Sequence, residues 1–597
     1  MRGHEPDLTA ADRILLGELP GRHLVARPVS LLPYSAQNRY GRDVSMREFA
    51  AVELSNEHLR AVFLPELGGR LWSLVDLGTG RDLLFRPDAI QFGNLALRDA
   101  WFSGGVEWNL GTTGHWGLTC TPVNAGVVEV DGERILRMWA LERLTGLVWR
   151  LEAWLPAGSR HLYTSARIAN HLEVDVAFYW WSNAAVPLEA ESRVLAPATH
   201  SFHNEYGGGL VRIQFPHSHG IDGSRPHDAP QSADYFFDIP RDGHTPTWVA
   251  GCAGDGLGLM LASTPELPGK KQFVWGNTRG GRRWQSWLNG RGRYFELQSG
   301  YTRTQKEHVA LPPGAVATWV EAFGPVTVDP GLGFDEAVRV AADQVPAAGL
   351  ARAGQVFDAA VGAAAEVWQA VDGWGRLEVE AGHLAADPAT PFTAALSDEQ
   401  QGWLAVARGG APTDALARYP QVGPRWRSHL EVAEPGWVRS LLVGYCDWAA
   451  GDRDGAVWHW RESAAIHENA MALHCLAVCE ADPWAAYNLA ERAHEASQGD
   501  DDLLLDYLDR ARGIPAVVLR VIDRLPESSR LLPRVRLAEA RALVASGRLV
   551  TARAVIEELE LPNLREASEE LEELWREYTR ASGTDERLPA HLDFAMY

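Results

Sequence analysis

A large antiparallel β domain followed by an α-helical array is the fold class the sequence predicts. Three observations carry it. Short alternating apolar runs, split by turn residues, persist from Leu24 to about Pro330, the rhythm of successive antiparallel strands. Beyond Pro330 the texture turns Ala-rich, with apolar residues at helical spacing. At 597 residues the chain also exceeds the roughly 250–300 that one core sustains, so at least two domains are needed.

In order, residues 1–24 read as a short helical lead-in and 25–330 as a β-sandwich domain. Residues 331–398 read as a helical connector and 399–597 as a helical repeat domain. Within the β domain, REFAAVELSNEHLRAVFLPELGGRLWSLVDLGTGRDLLF gives strands separated by Asn-Glu, Pro-Glu, Gly-Gly and Gly-Thr-Gly turns. Asp131-Gly132 is a hairpin signal. The span from Glu189 to His244 is rich in Gly, His, Pro and Asp and is expected to form long loops. In the connector, residues 353–371 read as helix and GRLEVEAG, residues 375–382, as a short extended piece. Further on, Gly444, Gly451, Ala456 and Trp460 sit at the offsets of a helix-turn-helix repeat, and Gly547, Ala552 and Ile556 repeat the pattern. Gly451 and Gly547 are separated by close to three periods of about 34 residues, as in a tetratricopeptide array.

Composition narrows the function classes. A net charge of -22 argues against a nucleic-acid footprint or an anionic membrane surface, and it leaves neutral substrates open. Five scattered cysteines suggest no disulfide framework. The N-terminus lacks a secretory pattern and no apolar run approaches about 20 residues, so a cytoplasmic location is expected. No phosphate-binding glycine loop or serine or cysteine nucleophile motif stands out, and no cofactor is expected. His200 and His203 with Glu205, and His217 with His219, offer imidazoles at short spacings. A zinc site usually needs three well-placed ligands with further side chains supporting them, and H-x-x-H in a loop or H-x-H on a strand is common by chance, so no metal is expected.

The most informative stretch is NLALRDAWFSGGVEWNLGTTGHWGLTC, from Asn94 to Cys120. It mixes Trp101, Trp108 and Trp116 with Arg98, Asp99, Glu107, Asn109 and His115. Sugar sites need this combination, indole faces for the ring and a few convergent polar groups for hydroxyls. Trp275, Trp284 and Trp287 with Gln285, in the Gly-rich FVWGNTRGGRRWQSWLNG, are expected to build the opposite wall in loops.

The block LPELGGRLWSLVDLGTGRDLL resembles the opening of the galactose-mutarotase-like supersandwich, and YFELQSG followed by LPPGAVATWVEAF resembles that superfamily's closing segment. The resemblance implies Glu296 as a base, Gln298 beside it, and Arg70 as a hydrogen-bond donor to substrate. The GGVEWN, GHW and YWWSN blocks resemble the bacterial family DUF5107, often joined to tetratricopeptide repeats, over roughly residues 30–330. Aldose mutarotases carry an acid histidine in a His-x-Tyr-Phe strand. The comparable strand here reads Tyr179-Trp180-Trp181-Ser182-Asn183, and Asn183 cannot act as an acid. His115 or His203 would have to supply the proton.

The leading expectation is a glycoside hydrolase in which Glu107 and Glu296 flank the scissile bond, since glycosyl transfer to water needs two carboxyl groups with separated pKa values. Glu321 is kept as a further carboxylate. Arg70, Arg98, Trp101, Trp108, Asn109, Trp116, Trp181, Asn183, Trp275, Trp284, Gln285 and Gln298 are expected to hold the sugar, with His115 among the catalytic groups. An aldose mutarotase or epimerase using His115 is one alternative. A non-catalytic sugar sensor is the other, with the repeats docking a protein partner or a second copy.

Overall fold

The computed structural model describes residues 8–596 apart from 18, 20, 29, 205–208, 498 and 567; Glu205 therefore lies outside the described residues. The lead-in is a helix, Ala10–Leu16, started by Thr9 and Asp12 capping one another's backbone N–H.

Two antiparallel sheets dominate the next 300 or so residues. The larger runs in the order Leu210–Gln214, His200–Asn204, Ala233–Phe237, Gly269–Val274, Tyr294–Gly300, Trp180–Pro187, Val106–Leu110, Arg70–Asp76, Leu59–Leu64, Val52–Ser55, with Arg81–Asp82 beside Arg70–Asp76. The smaller runs Arg193–Leu195, Thr247–Cys252, Leu257–Ser263, Val316–Thr327, Leu162–Ala169, Leu147–Trp154, Glu133–Glu142, Asn124–Val130, Glu366–Gln369. The expected Asp131-Gly132 hairpin joins two of these, with both residues at positive φ (50° and 81°) as a tight two-residue turn demands.

Side chains alternate across each strand, so one face of the larger sheet packs on the smaller sheet and the other is free to build a site. Val106, Trp108, Leu110, Trp180, Ala184, Phe295 and Leu297 point inward to meet Met138, Trp149, Leu151, Leu261 and Phe323. Between the sheets Lys270 Nζ donates to Thr247, Ser263 and Ser299 hydroxyls, while Glu321 accepts from Ser182 Oγ. Burial pushes the lysine down and the glutamate up. Glu321 is thus a buried group between the two sheets.

Three local expectations are corrected. The stretch from Glu189 to His244 carries strands between its loops, among them His200–Asn204 and Ala233–Phe237, because the larger sheet continues through it and claims their backbone groups. The Gly-rich run around Trp284 is a helix, Arg279–Asn289, whose Thr278 side chain caps Gly281 N–H. In the connector, Ala347–Ala359 is helix, but Glu366–Gln369 pairs with the edge strand Asn124–Val130. GRLEVE of that piece lies in the helix Gly373–Glu380, capped by Asp372, and the open sheet edge takes the preceding segment instead.

The connector helices Phe334–Ala342 and Ala347–Ala359 cover the outer face of the smaller sheet through Ala337, Leu350 and Phe357. From Asp398 the chain is a tetratricopeptide-like array of paired helices, including Trp437–Ala449 with Arg453–Ile466 and Pro533–Ala545 with Leu549–Glu557. A Cβ on Gly444 would lie 2.5 Å from the Trp460 indole nitrogen, so the small-against-large repeat pattern sets how closely the first pair approaches. After the helix Glu570–Ser582 the tail returns to the β domain, where Trp284 Nε1 donates to Phe594 O at 3.1 Å and Ser232 N to Met596 O at 3.0 Å. No helix among the described residues is long and apolar enough to cross a membrane.

Candidate functional site

Over the free face of the larger sheet lies a cavity of about 860 Å³, within the usual range for small-molecule sites. Its floor follows from strand register. Asn183 stands opposite Gln298 on one neighbouring strand and Glu107 on the other, so the three side chains share a face. Glu296, two residues before Gln298, shares it too, as do Lys271 opposite Gln298 and Phe273 opposite Glu296. Trp101, Asn109, His115, Asn183, Trp275, Glu296 and Gln298 line the cavity.

The remaining expected residues sit elsewhere. Trp108, between Glu107 and Asn109, points into the inter-sheet core; its Nε1 donates to Gly69 O at 2.9 Å. Trp116 packs on Trp149 at 5.0 Å in the same core, while its backbone N–H is held by Asn109 Oδ1 at 2.9 Å. Trp181 is on the site's face but is covered by Phe236, Gly269 and Gly300 and is fully buried. Trp284 seats Phe594, and Gln285 accepts from Tyr294 N. Arg98 donates to Ser35 O and Gly117 O and lies over Tyr34, holding the rim from behind. Arg70, expected to meet substrate, is 2% exposed. Its guanidinium donates to Phe102 O, Gly104 O and Thr119 Oγ1 and pairs with Glu107 at 3.4 Å. Those partners tie it to the backbone around the site and turn it away from the cavity.

Glu107 sits behind His115. One carboxylate oxygen contacts His115 Nδ1 at 2.5 Å, and the other accepts from Trp101 Nε1 and faces Arg70. That leaves Nε2 as the ring nitrogen on offer to a ligand. Trp101 and His115 lie with rings 4.9 Å apart, indole and imidazole together on the cavity wall.

The sequence model of a family described as "Domain of unknown function (DUF5107)" matches residues 26–329. The chain belongs to the DUF5107 family. A crystal structure of a TPR-domain containing protein from Parabacteroides distasonis has the same overall fold, at 17% identity, with 96% of each chain covered and a TM-score of 0.66. A putative aldose 1-epimerase from Escherichia coli is 15% identical, over 47% of this chain and 100% of that one, at a TM-score of 0.34. A putative mutarotase from Salmonella typhimurium is 9% identical, over 47% of this chain and 92% of that one, at 0.35.

Electrostatics in the DUF5107 domain separate Glu107 from Glu296. Burial would raise the Glu107 carboxyl, but the His115 and Arg70 charges and the hydrogen bonds from His115 and Trp101 overcome it and hold it below the usual range. Burial would lower His115, yet Glu107 in direct contact, with Glu296 and Glu566 beyond, raises it. For Glu296 burial wins and the carboxyl is pushed up, against the opposing pull of His115 and Lys271. Glu296 accepts from Gln298 Nε2 at 2.9 Å; Gln298 accepts from Gln305, Gln305 from Lys271 Nζ, and Lys271 pairs with Asp234 at 2.7 Å. That chain fixes the orientation of the Glu296 carboxyl.

Lys271, Asp234, Gln305 and Thr113 also line the cavity and were not anticipated, and Asp99, one of the polar groups of the Asn94–Cys120 stretch, lines it too. Lys271 had one legible signal: it alternates with Phe273 in a strand two removed from Asn183. Asp99 stands in a left-handed backbone conformation (φ 63°), which the sequence alone does not show. Among the described residues no group of three His, Cys, Asp or Glu side chains is gathered to hold a metal. His203 Nδ1 is engaged with Asp234 O at 3.0 Å.

Proposed function

We propose that the DUF5107 domain performs acid–base chemistry at the anomeric centre of an aldose, interconverting its anomers, with His115 as acid and Glu296 as base. The observation that carries this is the pairing across one cavity of an imidazole whose pKa Glu107 raises and a carboxylate whose basicity burial raises. Glu296 removes the proton from the anomeric hydroxyl. The C1–O1 bond becomes a carbonyl, the C1–O5 bond breaks, and O5 takes the proton from His115 Nε2. Rotation about C1–C2 and reversal of the same transfers closes the ring on the other face. Asn183 and Gln298 supply amide groups for neighbouring hydroxyls, and Trp101 and Trp275 offer indole surface to the ring.

Hydrolysis by a Glu107–Glu296 couple is less well supported. A general acid must be protonated before reaction, and the hydrogen bonds Glu107 accepts from Trp101 and His115, with its ion pair to Arg70, favour its ionised form. The test is polarimetry of freshly dissolved α-D-glucose and α-D-galactose with wild type, His115→Gln and Glu296→Gln. Accelerated mutarotation lost by about 10²-fold or more in each variant supports the proposal. Release of sugar from nitrophenyl glycosides, with no effect on mutarotation, overturns it.

A further inference from the structure

The cavity is not built by the β domain alone. Arg565, Glu566, Ser568 and Glu570 line it as well: the first three belong to the segment between the helices Leu549–Glu557 and Glu570–Ser582, and Glu570 opens the second helix. Asn94, 1% exposed, binds this segment from the sheet side: its Nδ2 donates to Asn563 O at 3.1 Å, and its carbonyl accepts from Glu566 N at 3.4 Å. Arg534 binds it from the array side, through Nε to Asn563 Oδ1 and Nη2 to Asn563 O, both at 2.9 Å, with its remaining nitrogen on Glu570. Trp101, Phe273, Trp275 and Tyr294 fall in one buried cluster with Leu564 and Trp575 of the array, so the aromatic wall and the segment are packed as one body. A wall fixed from both sides differs from a loop resting on a surface.

Its chemistry also fits. A guanidinium presents only donors and a carboxylate only acceptors, and adjacent sugar hydroxyls offer both functions side by side. Glu566 is also among the charges that raise His115. We propose that the helical array is part of the sugar site: Arg565 and Glu566 contact the sugar from the side opposite the sheet and restrict the cavity to a short sugar with a free reducing end. This rests on the proposed anomeric chemistry for the identity of the ligand. It assigns the array a binding role in place of, or beside, the docking of a protein partner.

Calorimetric titration of the full chain with D-galactose, D-glucose, lactose and maltotriose tests it, for wild type, Arg565→Ala, Arg565→Lys and Glu566→Ala. Thermal melting checks that each variant is folded, and polarimetry of the same samples reads turnover separately. The expected result is a Kd weakened about tenfold or more for the monosaccharides in both alanine variants, the loss expected for a charge-assisted hydrogen bond, with partial recovery in Arg565→Lys. Discrimination against maltotriose should shrink as the wall is cut back. Binding without turnover in the wild type would sink the anomeric mechanism and leave the wall to be judged on Kd. Equal Kd values in all folded variants, or no binding of any of these sugars by the wild type, overturns the wall itself.

Discussion

Replacing Glu107 with glutamine removes one charge and almost no volume, which makes it the most direct probe of the His115 dyad. The carboxylate touches His115 Nδ1 at 2.5 Å and lies 3.4 Å from Arg70, with both glutamate and arginine side chains 2% exposed. With charge centres about 4 Å apart and an effective dielectric near 20, the lost attraction to an imidazolium is about 4 kcal/mol. Breaking a buried pair typically costs about 3–5 kcal/mol. Arg70 keeps Phe102 O, Gly104 O and Thr119 Oγ1, and glutamine keeps an acceptor oxygen, so the lower end of that range is expected. Urea unfolding measures it. The wild-type pair has a definite pH window. His115 is raised, so its contribution is complete below about pH 6.5 and fades as pH climbs through its folded value; Glu107 is lowered, so its contribution is present above about pH 4.3 and fades as pH falls through its folded value. The stability difference between wild type and Glu107→Gln should therefore peak between those limits. Catalysis supplies the sharper test. An acid must be protonated, so the rate falls as pH rises through the His115 value. Without Glu107 that alkaline limb moves to lower pH, and mutarotation at neutral pH drops about 10²-fold or more. An alkaline limb that stays in place in a folded Glu107→Gln protein refutes the dyad.

The other predictions follow the same geometry. Glu296→Gln should abolish turnover while raising the melting temperature at neutral pH, because folding raises this carboxyl's pKa and the ionised form is a cost that grows as pH climbs from the unfolded value through the folded one. Lys271→Met removes a cation that opposes the rise of Glu296, so the acidic limb of the rate profile should shift to higher pH; an unmoved limb would mean the lysine acts only through Asp234. Gly280→Ala places a Cβ 1.9 Å from Ala595 O, so hydrogen exchange should show the tail near residues 593–596 released, with strands such as Tyr294–Gly300 still protected.

Much of the fold was legible because periodicity is a local property. The alternation in YFELQSG already places Glu296 and Gln298 on one face and Phe295 and Leu297 on the other, and the register confirms that geometry. The same rule, applied to VEWNL, would have sent Trp108 to the opposite face from Glu107 and Asn109; its indole resembled a sugar platform only because tryptophans were counted as a cluster. Small-against-large spacing revealed the paired helices around Gly444 and Trp460 for a similar reason, since both residues lie within one hairpin. The connector misled because Glu366–Gln369 is extended by a distant partner, the open edge at Asn124–Val130, against its Ala-rich surroundings.

By itself, then, the sequence determined the succession of a β domain and a helical array, the face on which the Glu296 strand carries its polar groups, and the family to which the DUF5107 motifs belong. Tertiary structure alone decided three things. It put His115 against Glu107 and so made the carboxylate a partner of the imidazole, where the sequence had suggested an acid in its own right. It turned Arg70 from the cavity onto backbone carbonyls. It brought Arg565 and Glu566 over strands that precede them by hundreds of residues. Strand and helix patterns follow from near neighbours along the chain, whereas the charge state and enclosure of a site follow from whichever distant groups the packed domains bring within a few ångströms.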